Sequence, residues 1–173
     1  MLDVKSMQEQ YEAVDPSVAF LLRQFALRKG YSMFLTEKEL KEQFWKNYNR
    51  KNRAKRYQFE CPIREGNADL LTIEKFQNNW QINAFEFKLS DIKKVLLQAE
   101  GNLPFCNKSW IVIPIEKKEL ITNRYMQYLK EKKFIGVIGV EANGRFTILF
   151  QPNFKQLVQM SQTVLNLCMN EVN

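Results

Sequence analysis

Ala68-Asp69-Leu70-Leu71-Thr72-Ile73-Glu74 and, after Lys75 to Asn79, Trp80-Gln81-Ile82-Asn83-Ala84-Phe85-Glu86-Phe87-Lys88 decide the fold. Both runs are rich in β-branched and aromatic residues, and polar residues lie between them, so they read as two strands of a hairpin. A turn centred between Gln77 and Asn78 sets Asp69 directly opposite Glu86. Opposed residues of antiparallel strands share a face, with Cβ atoms roughly 4.5–5.5 Å apart. Glu86 and Lys88, two apart on one strand, also share a face. Two carboxylates and an ammonium converging on a sheet surface suit a divalent cation with a charged helper beside it. That chemistry points to phosphodiester hydrolysis.

Working outward, Arg64-Glu65-Gly66-Asn67 turns the chain into the hairpin. Before it, Tyr57, Phe59, Cys61 and Ile63 alternate with Gln58, Glu60 and Arg64, which predicts another strand. Residues 50–56 carry five basic side chains: Arg50, Lys51, Arg53, Lys55 and Arg56. Thr36 to Glu39 has the form of a capping box, opening a helix with Leu40, Phe44 and Tyr48 on one stripe. Asp15-Pro16 reads as the start of an earlier helix, with Val18, Leu21, Leu22 and Phe25 on one face and Gly30 as its stop. The first fourteen residues are expected to fray.

Downstream, Ser90 or Asp91 caps a helix bearing Ile92, Val95, Leu96 and Ala99 and ending near Gly101. Trp110 to Ile113 is apolar throughout, as a buried parallel strand should be. Strand, helix and strand then make a right-handed crossover. A helix is predicted at about 122–132. Two strands, 134–140 and 146–150, should pair around Asn143-Gly144. An amphipathic helix is predicted from Phe154 to Cys168. The whole reads as one α/β domain over 1–173, a central mixed sheet flanked by helices on both faces, with its core at about 57–150.

Composition narrows the chemistry. The chain of 173 residues is 45% hydrophobic and 13% aromatic, which fits a globular domain large enough to bury a core. It has no histidine, which excludes Ser-His-Asp and Cys-His nucleophiles and histidine-zinc hydrolysis. Three scattered cysteines without CxxC spacing argue against a zinc site or disulfide framework. The polar N-terminus does not read as a signal peptide, and no apolar run approaches a membrane span. A cytoplasmic protein is therefore expected, with no membrane as partner. The net charge of +7 makes nucleic acid the expected partner.

The segment from Tyr57 to Pro114 resembles the core of the PD-(D/E)XK, or restriction-endonuclease-like, nuclease superfamily. The matching pieces are Phe59-Glu60, Gly66 to Leu71, Phe85 to Asp91, Gln98-Ala99, and Trp110 to Pro114, in that order. Ala68 replaces the proline that commonly precedes the first acid. Asn102 stands where some exonuclease branches carry tyrosine, four residues after the glutamine. The resemblance implies a restriction-endonuclease-like core and Mg²⁺ or Mn²⁺ held by Asp69, Glu86 and the backbone carbonyl of Phe87. It also implies that Lys88 sits by the attacking water, that Gln98 orients that water or touches a phosphate, and that Glu60 serves as an outer metal ligand or as a partner behind the ligands. The implied activity is metal-dependent cleavage of DNA, by one chain, a homodimer or a larger complex.

Plainer readings stand beside these. Asp69, Glu86 and Lys88 can be a surface ion-pair cluster. Glu60 can pair with Arg64 or a neighbouring lysine, and Gln98 can be merely solvated. The basic run, with Lys93 and Lys94, either contacts phosphates or is a solvated face, the run itself also suiting a helix C-terminus. Trp45, Trp80 and Trp110 read as core or sheet-face aromatics and not as base-stacking platforms. A non-catalytic nucleic-acid-binding or protein-interaction module on the same fold is the alternative.

Overall fold

The hairpin register fixes where the acids fall, and it is the one expected. In the computed structural model, which describes residues 17, 18, 20, 21, 24, 25 and 34–169, β2 (Gly66–Phe76) and β3 (Asn79–Phe87) pair antiparallel from Phe76 opposite Asn79 to Leu70 opposite Phe85. The loop is Gln77-Asn78, and Gln77 takes φ +54°, the positive value that a two-residue hairpin loop needs at its first position. β1 (Ala54–Arg64) pairs antiparallel with β2, and Gly66 makes the turn with φ +91°.

α1 (Glu37–Tyr48) precedes β1, and its cap is the one expected: Thr36 Oγ1 accepts the Glu39 N–H, and Glu39 reaches back to the Leu35 N–H. α2 (Ile92–Asn102) is capped by Asp91, whose carboxylate accepts the Lys94 N–H, and it crosses over to β4 (Lys108–Pro114), parallel to β3. The chain then runs helically from Ile115, through a 3₁₀ turn, a single α turn and a π-helical stretch (Ile121–Tyr125), into α3 (Met126–Lys132). The predicted helix at 122–132 therefore begins several residues earlier. β5 (Ile135–Val140) lies parallel to β4, and β6 (Phe146–Phe150) closes the sheet antiparallel to β5. The order across the six-stranded sheet is β1-β2-β3-β4-β5-β6.

Burial alternates along β4 and so assigns the faces. Trp110 and Val112 pack with Leu70, Phe85, Phe87, Ile138 and Val140 under α1, which contributes Leu40, Phe44 and Tyr48. Ile111 and Ile113 pack on the other side with Val95, Leu96 and Ala99 of α2 and Leu129 of α3. That side also holds Leu71, Ile73, Ile82 and Ala84, with Val164 from α4 (Gln162–Met169). The expected mixed sheet with helices on both faces is thus present.

The β5–β6 turn packs on the C-terminal end of α1. There Asn47 donates to the Asn143 carbonyl, and a Cβ on Gly144 would lie 2.5 Å from the Gln43 carbonyl oxygen. The helix expected from Phe154 is short by two turns. Residues 154–161 are not helical, because their N–H groups reach to other segments: Lys155 to Asn107 and Gln159 to Pro104. Of the helix expected from Asp15 to Gly30, only Ser17, Val18, Phe20, Leu21, Gln24 and Phe25 are described, and they are helical; the rest, and the first fourteen residues, lie outside the described residues. Among the described residues no helix is long and apolar enough to cross a membrane.

Candidate active site

On β1 and β2 the alternation of faces breaks beside the acids. Phe59 and Cys61, two apart on β1, pack on opposite faces, as do Ala68 and Leu70 on β2. Between them lie Glu60 and Asp69, neighbours across the ladder that pairs Phe59 with Leu70 and Cys61 with Ala68. Glu60 takes φ +48°, a left-handed conformation that costs a non-glycine residue roughly 1–2 kcal/mol. The strand reverses its faces there, and a strained residue beside an acid is a common mark of a functional position.

The β2–β3 ladder ends at Leu70 and Phe85, and the Asp69 side chain takes over from the backbone. Asp69 Oδ2 accepts the Phe87 N–H at 2.7 Å. The next peptide is trans and donates its N–H, from Lys88, to the Val112 carbonyl on β4 at 3.1 Å. In a planar trans peptide the C=O points opposite to the N–H. The Phe87 carbonyl therefore points away from β4, toward the edge where Asp69 lies.

Glu86 is fully buried. Its Oε1 accepts from Asn102 Nδ2 at 2.7 Å and from Arg64 Nη2 at 3.1 Å, while Oε2 is buried with no hydrogen-bond partner. Burial pushes its carboxyl up to about 7; Asn102 and Arg64 pull the other way, and the Asp69 charge adds to the rise. Burial also raises the Asp69 carboxyl, against the Phe87 N–H and Lys41. A carboxylate whose ionisation is disfavoured by a second one beside it is a ready-made place for a cation.

Two charged side chains of α1, one turn apart, reach these groups: Lys41 and Glu37. Lys41 Nζ lies 2.6 Å from Glu60 and 3.6 Å from Asp69, and 5.7 Å from the centre of the Phe87 ring. Glu37 grips Lys88, with Nζ 2.8 Å from Oε1 and 2.9 Å from Oε2. Glu60 thus pairs with a lysine and not with Arg64, which serves Glu86. Lys88 is held by α1 while Glu86 is held by β1 and α2, so the two share no partner.

Of the residues chosen from sequence, Asp69, Glu86 and the Phe87 backbone come together, with Glu60 beside Asp69. Gln98 is half-buried on α2, but the α2 residue that reaches Glu86 is Asn102, one turn on. Lys93 and Lys94 are exposed in the first turn of α2. The basic run lies before and at the start of β1, and its nearest member, Arg56, is four residues from Glu60, about 13 Å at 3.3 Å per residue. Within it Arg50 and Lys51 are exposed, Lys55 donates to the Asn52 carbonyl, and Arg56 donates to the Lys55 carbonyl. Arg53 is committed elsewhere. Its Nε binds buried Glu74 at 2.9 Å, which also accepts from Tyr48 and Thr72, and its guanidinium lies over the Tyr48 ring. Arg64, Asn102, Lys41 and Glu37 were not among the residues chosen. The only signal for any of them was the position of Asn102 four residues after Gln98.

Among the described residues no three Asp, Glu or Cys side chains form a metal-binding group by themselves. The free oxygen of Glu86, the Asp69 carboxylate and the Phe87 carbonyl are nonetheless hard oxygen donors. One or two carboxylates with the remaining positions left to water and phosphate is how Mg²⁺ is usually held, so the residues fit such an ion. No protein-family model matches the chain, and no curated protein matches it in sequence.

Proposed function

We propose that the protein is a divalent-metal-dependent nuclease that hydrolyses DNA phosphodiester bonds, built on a restriction-endonuclease-like core. The observation that carries this reading is the Glu86 carboxyl: buried, half-satisfied, raised to about 7, and beside Asp69 where the β2–β3 ladder opens. A buried acid with an empty oxygen is costly unless something positive meets it. Asp69, Glu86 Oε2 and the Phe87 carbonyl would hold Mg²⁺ or Mn²⁺, with Glu60 as an outer partner. Such an ion, when bound, supplies Lewis-acid polarisation of the phosphate and a more acidic attacking water.

The chain's own residues have distinct work in this reading. Arg64 and Asn102 fix Glu86 in one orientation, as partners behind a ligand do. Glu37 grips the Lys88 ammonium; in this reading that charge, freed toward the acids, would favour the negative transition state. Gln98 orients water or a phosphate from α2. Exposed Arg50, Lys51, Lys93 and Lys94 offer sequence-independent phosphate contacts, in keeping with the net charge of +7.

One observation favours a second reading, a non-catalytic nucleic-acid-binding module. Lys41 already neutralises Glu60 and Asp69, and Glu37 already neutralises Lys88. The experiment is incubation of the purified protein with single- and double-stranded DNA and Mg²⁺ or Mn²⁺, beside chelator, Asp69→Asn and Lys88→Ala. Cleavage by the native protein, lost in all three controls, is the expected result. DNA held equally well in chelator and never cut would replace the nuclease with the binding module. Neither cutting nor salt-dependent binding would leave a protein-interaction role instead.

A further inference from the structure

Beside the acids, a groove of about 330 Å³ runs between α1 and β1, lined by Lys38, Lys41, Glu42, Trp45, Phe59 and Glu60. That is the lower end of the size of small-molecule sites. Its floor is aromatic. Trp45 and Phe59 line it, 5.4 Å apart and edge to face; Tyr57, outside that lining but 4.6 Å from Trp45, is 47% exposed. Lys38, Lys41 and Trp45 follow one another at helical spacing of three and four, so they stand on one face of α1. The groove is continuous with the candidate site, because Lys41 and Glu60 belong to both and Lys41 reaches Asp69.

We infer that this groove takes an unpaired base of a single-stranded nucleic acid, delivering the adjoining phosphate to Asp69. This deepens the nuclease reading and rests on its nucleic-acid partner. The aromatic rings decide the substrate class. A duplex keeps its base faces stacked on one another and offers an outside protein only edges and phosphates, whereas a single strand offers π-faces to stack on. Lys38, exposed on the same face of α1, supplies a cation for the backbone of such a strand, while Lys41 stays paired with Glu60 and Asp69. Trp45, expected from sequence to be a core or sheet-face aromatic and not a base-stacking platform, does pack partly on the core, yet it also lines the open groove.

The test is fluorescence anisotropy of labelled oligo-dT and of a duplex of equal length, both in chelator, so that binding is read without cleavage. The native protein should bind oligo-dT more tightly than duplex. Tyr57→Ser beside Trp45 should weaken oligo-dT binding about ten-fold and leave duplex binding unchanged, the equivalent of about 1.4 kcal/mol for one lost stack. Trp45→Leu should do the same, with its circular dichroism compared to native as the folding control. Equal affinity for the two DNAs, or an equal loss for both in Tyr57→Ser, overturns the inference. If duplex is cleaved with metal while Tyr57→Ser changes nothing, the groove is wrong and the nuclease stands. If oligo-dT is held through Tyr57 but no DNA is cut, the groove stands and the nuclease falls.

Discussion

Replacing Glu86 by glutamine should remove a pH dependence of stability whose size follows from the site. The carboxyl is held at about 7 against an ordinary value of 4.5, because it is buried with one oxygen unmatched. A folded-state pKa above the unfolded one means that the folded protein binds the proton more tightly. Its contribution is complete below about pH 4.5 and is lost as pH rises through 7. At 1.36 kcal/mol for each pH unit, the native protein gives up about 3 kcal/mol over that interval from this group. Glutamine has the same shape, does not titrate, and still offers an oxygen to Asn102 and Arg64. Glu86→Gln should therefore gain about 3 kcal/mol relative to the native protein between pH 4.5 and pH 8. In a domain of this size that is a relative rise of roughly 6–12 °C in Tm. Thermal unfolding of both proteins in chelator, across that range, measures it. Titrating groups that do not touch Glu86 cancel in the difference; its neighbour Asp69 is the exception. A difference in Tm that stays constant with pH would show that Glu86 is ionised throughout, and would remove the main support for a cation site here.

Two further perturbations separate the roles of the charges. Lys41→Met leaves Glu60 and Asp69 facing each other, so it should lower stability in chelator by about 1 kcal/mol, modest because Glu60 is largely exposed. Mg²⁺ or Mn²⁺ should then raise its Tm more than that of the native protein, since the ammonium no longer competes for those oxygens; equal shifts would mean that Lys41 does not guard the site. Arg53→Ala should cost about 2 kcal/mol in urea unfolding, because Glu74 Oε2 keeps only Gln81 at 3.4 Å and the Tyr48 ring loses its cation. Arg50→Ala should change stability by less than about 0.5 kcal/mol. Unchanged stability with weakened DNA binding in Arg53→Ala would return that residue to the phosphate contacts.

The hairpin was legible because strand periodicity is two and its loop is two residues long: once Gln77-Asn78 was placed, every pair from Phe76 to Leu70 followed. The cap at Thr36, the cap at Asp91 and the apolar β4 were local signals of the same kind. What was not legible depends on contacts distant in sequence. Nothing in Glu37 or Lys41 announces that α1 will lay them on Lys88 and Asp69. Arg64 looked like a turn residue, and it is one, yet its guanidinium reaches past the turn to Glu86. The reversal at Glu60 breaks the alternation on which strand reading depends, so the acid that lies across from Asp69 could be named but not placed. From Phe154 onward, helical spacing misled because the backbone there bonds to loops 40 to 60 residues away.

α1 acts as a lever. Its C-terminal end is fixed by the β5–β6 turn, where only glycine at position 144 allows the approach, and its N-terminal end carries both Glu37 and Lys41. Twelve residues make a rod of about 18 Å. Glu37 stands about 9–15 Å from the Gln43 and Asn47 contacts, so a tilt of about 5° there would carry it about 1 Å along an arc. A turn on the far edge of the sheet, sharing no residue with the site, thus helps set where the helix that holds Lys88 lies.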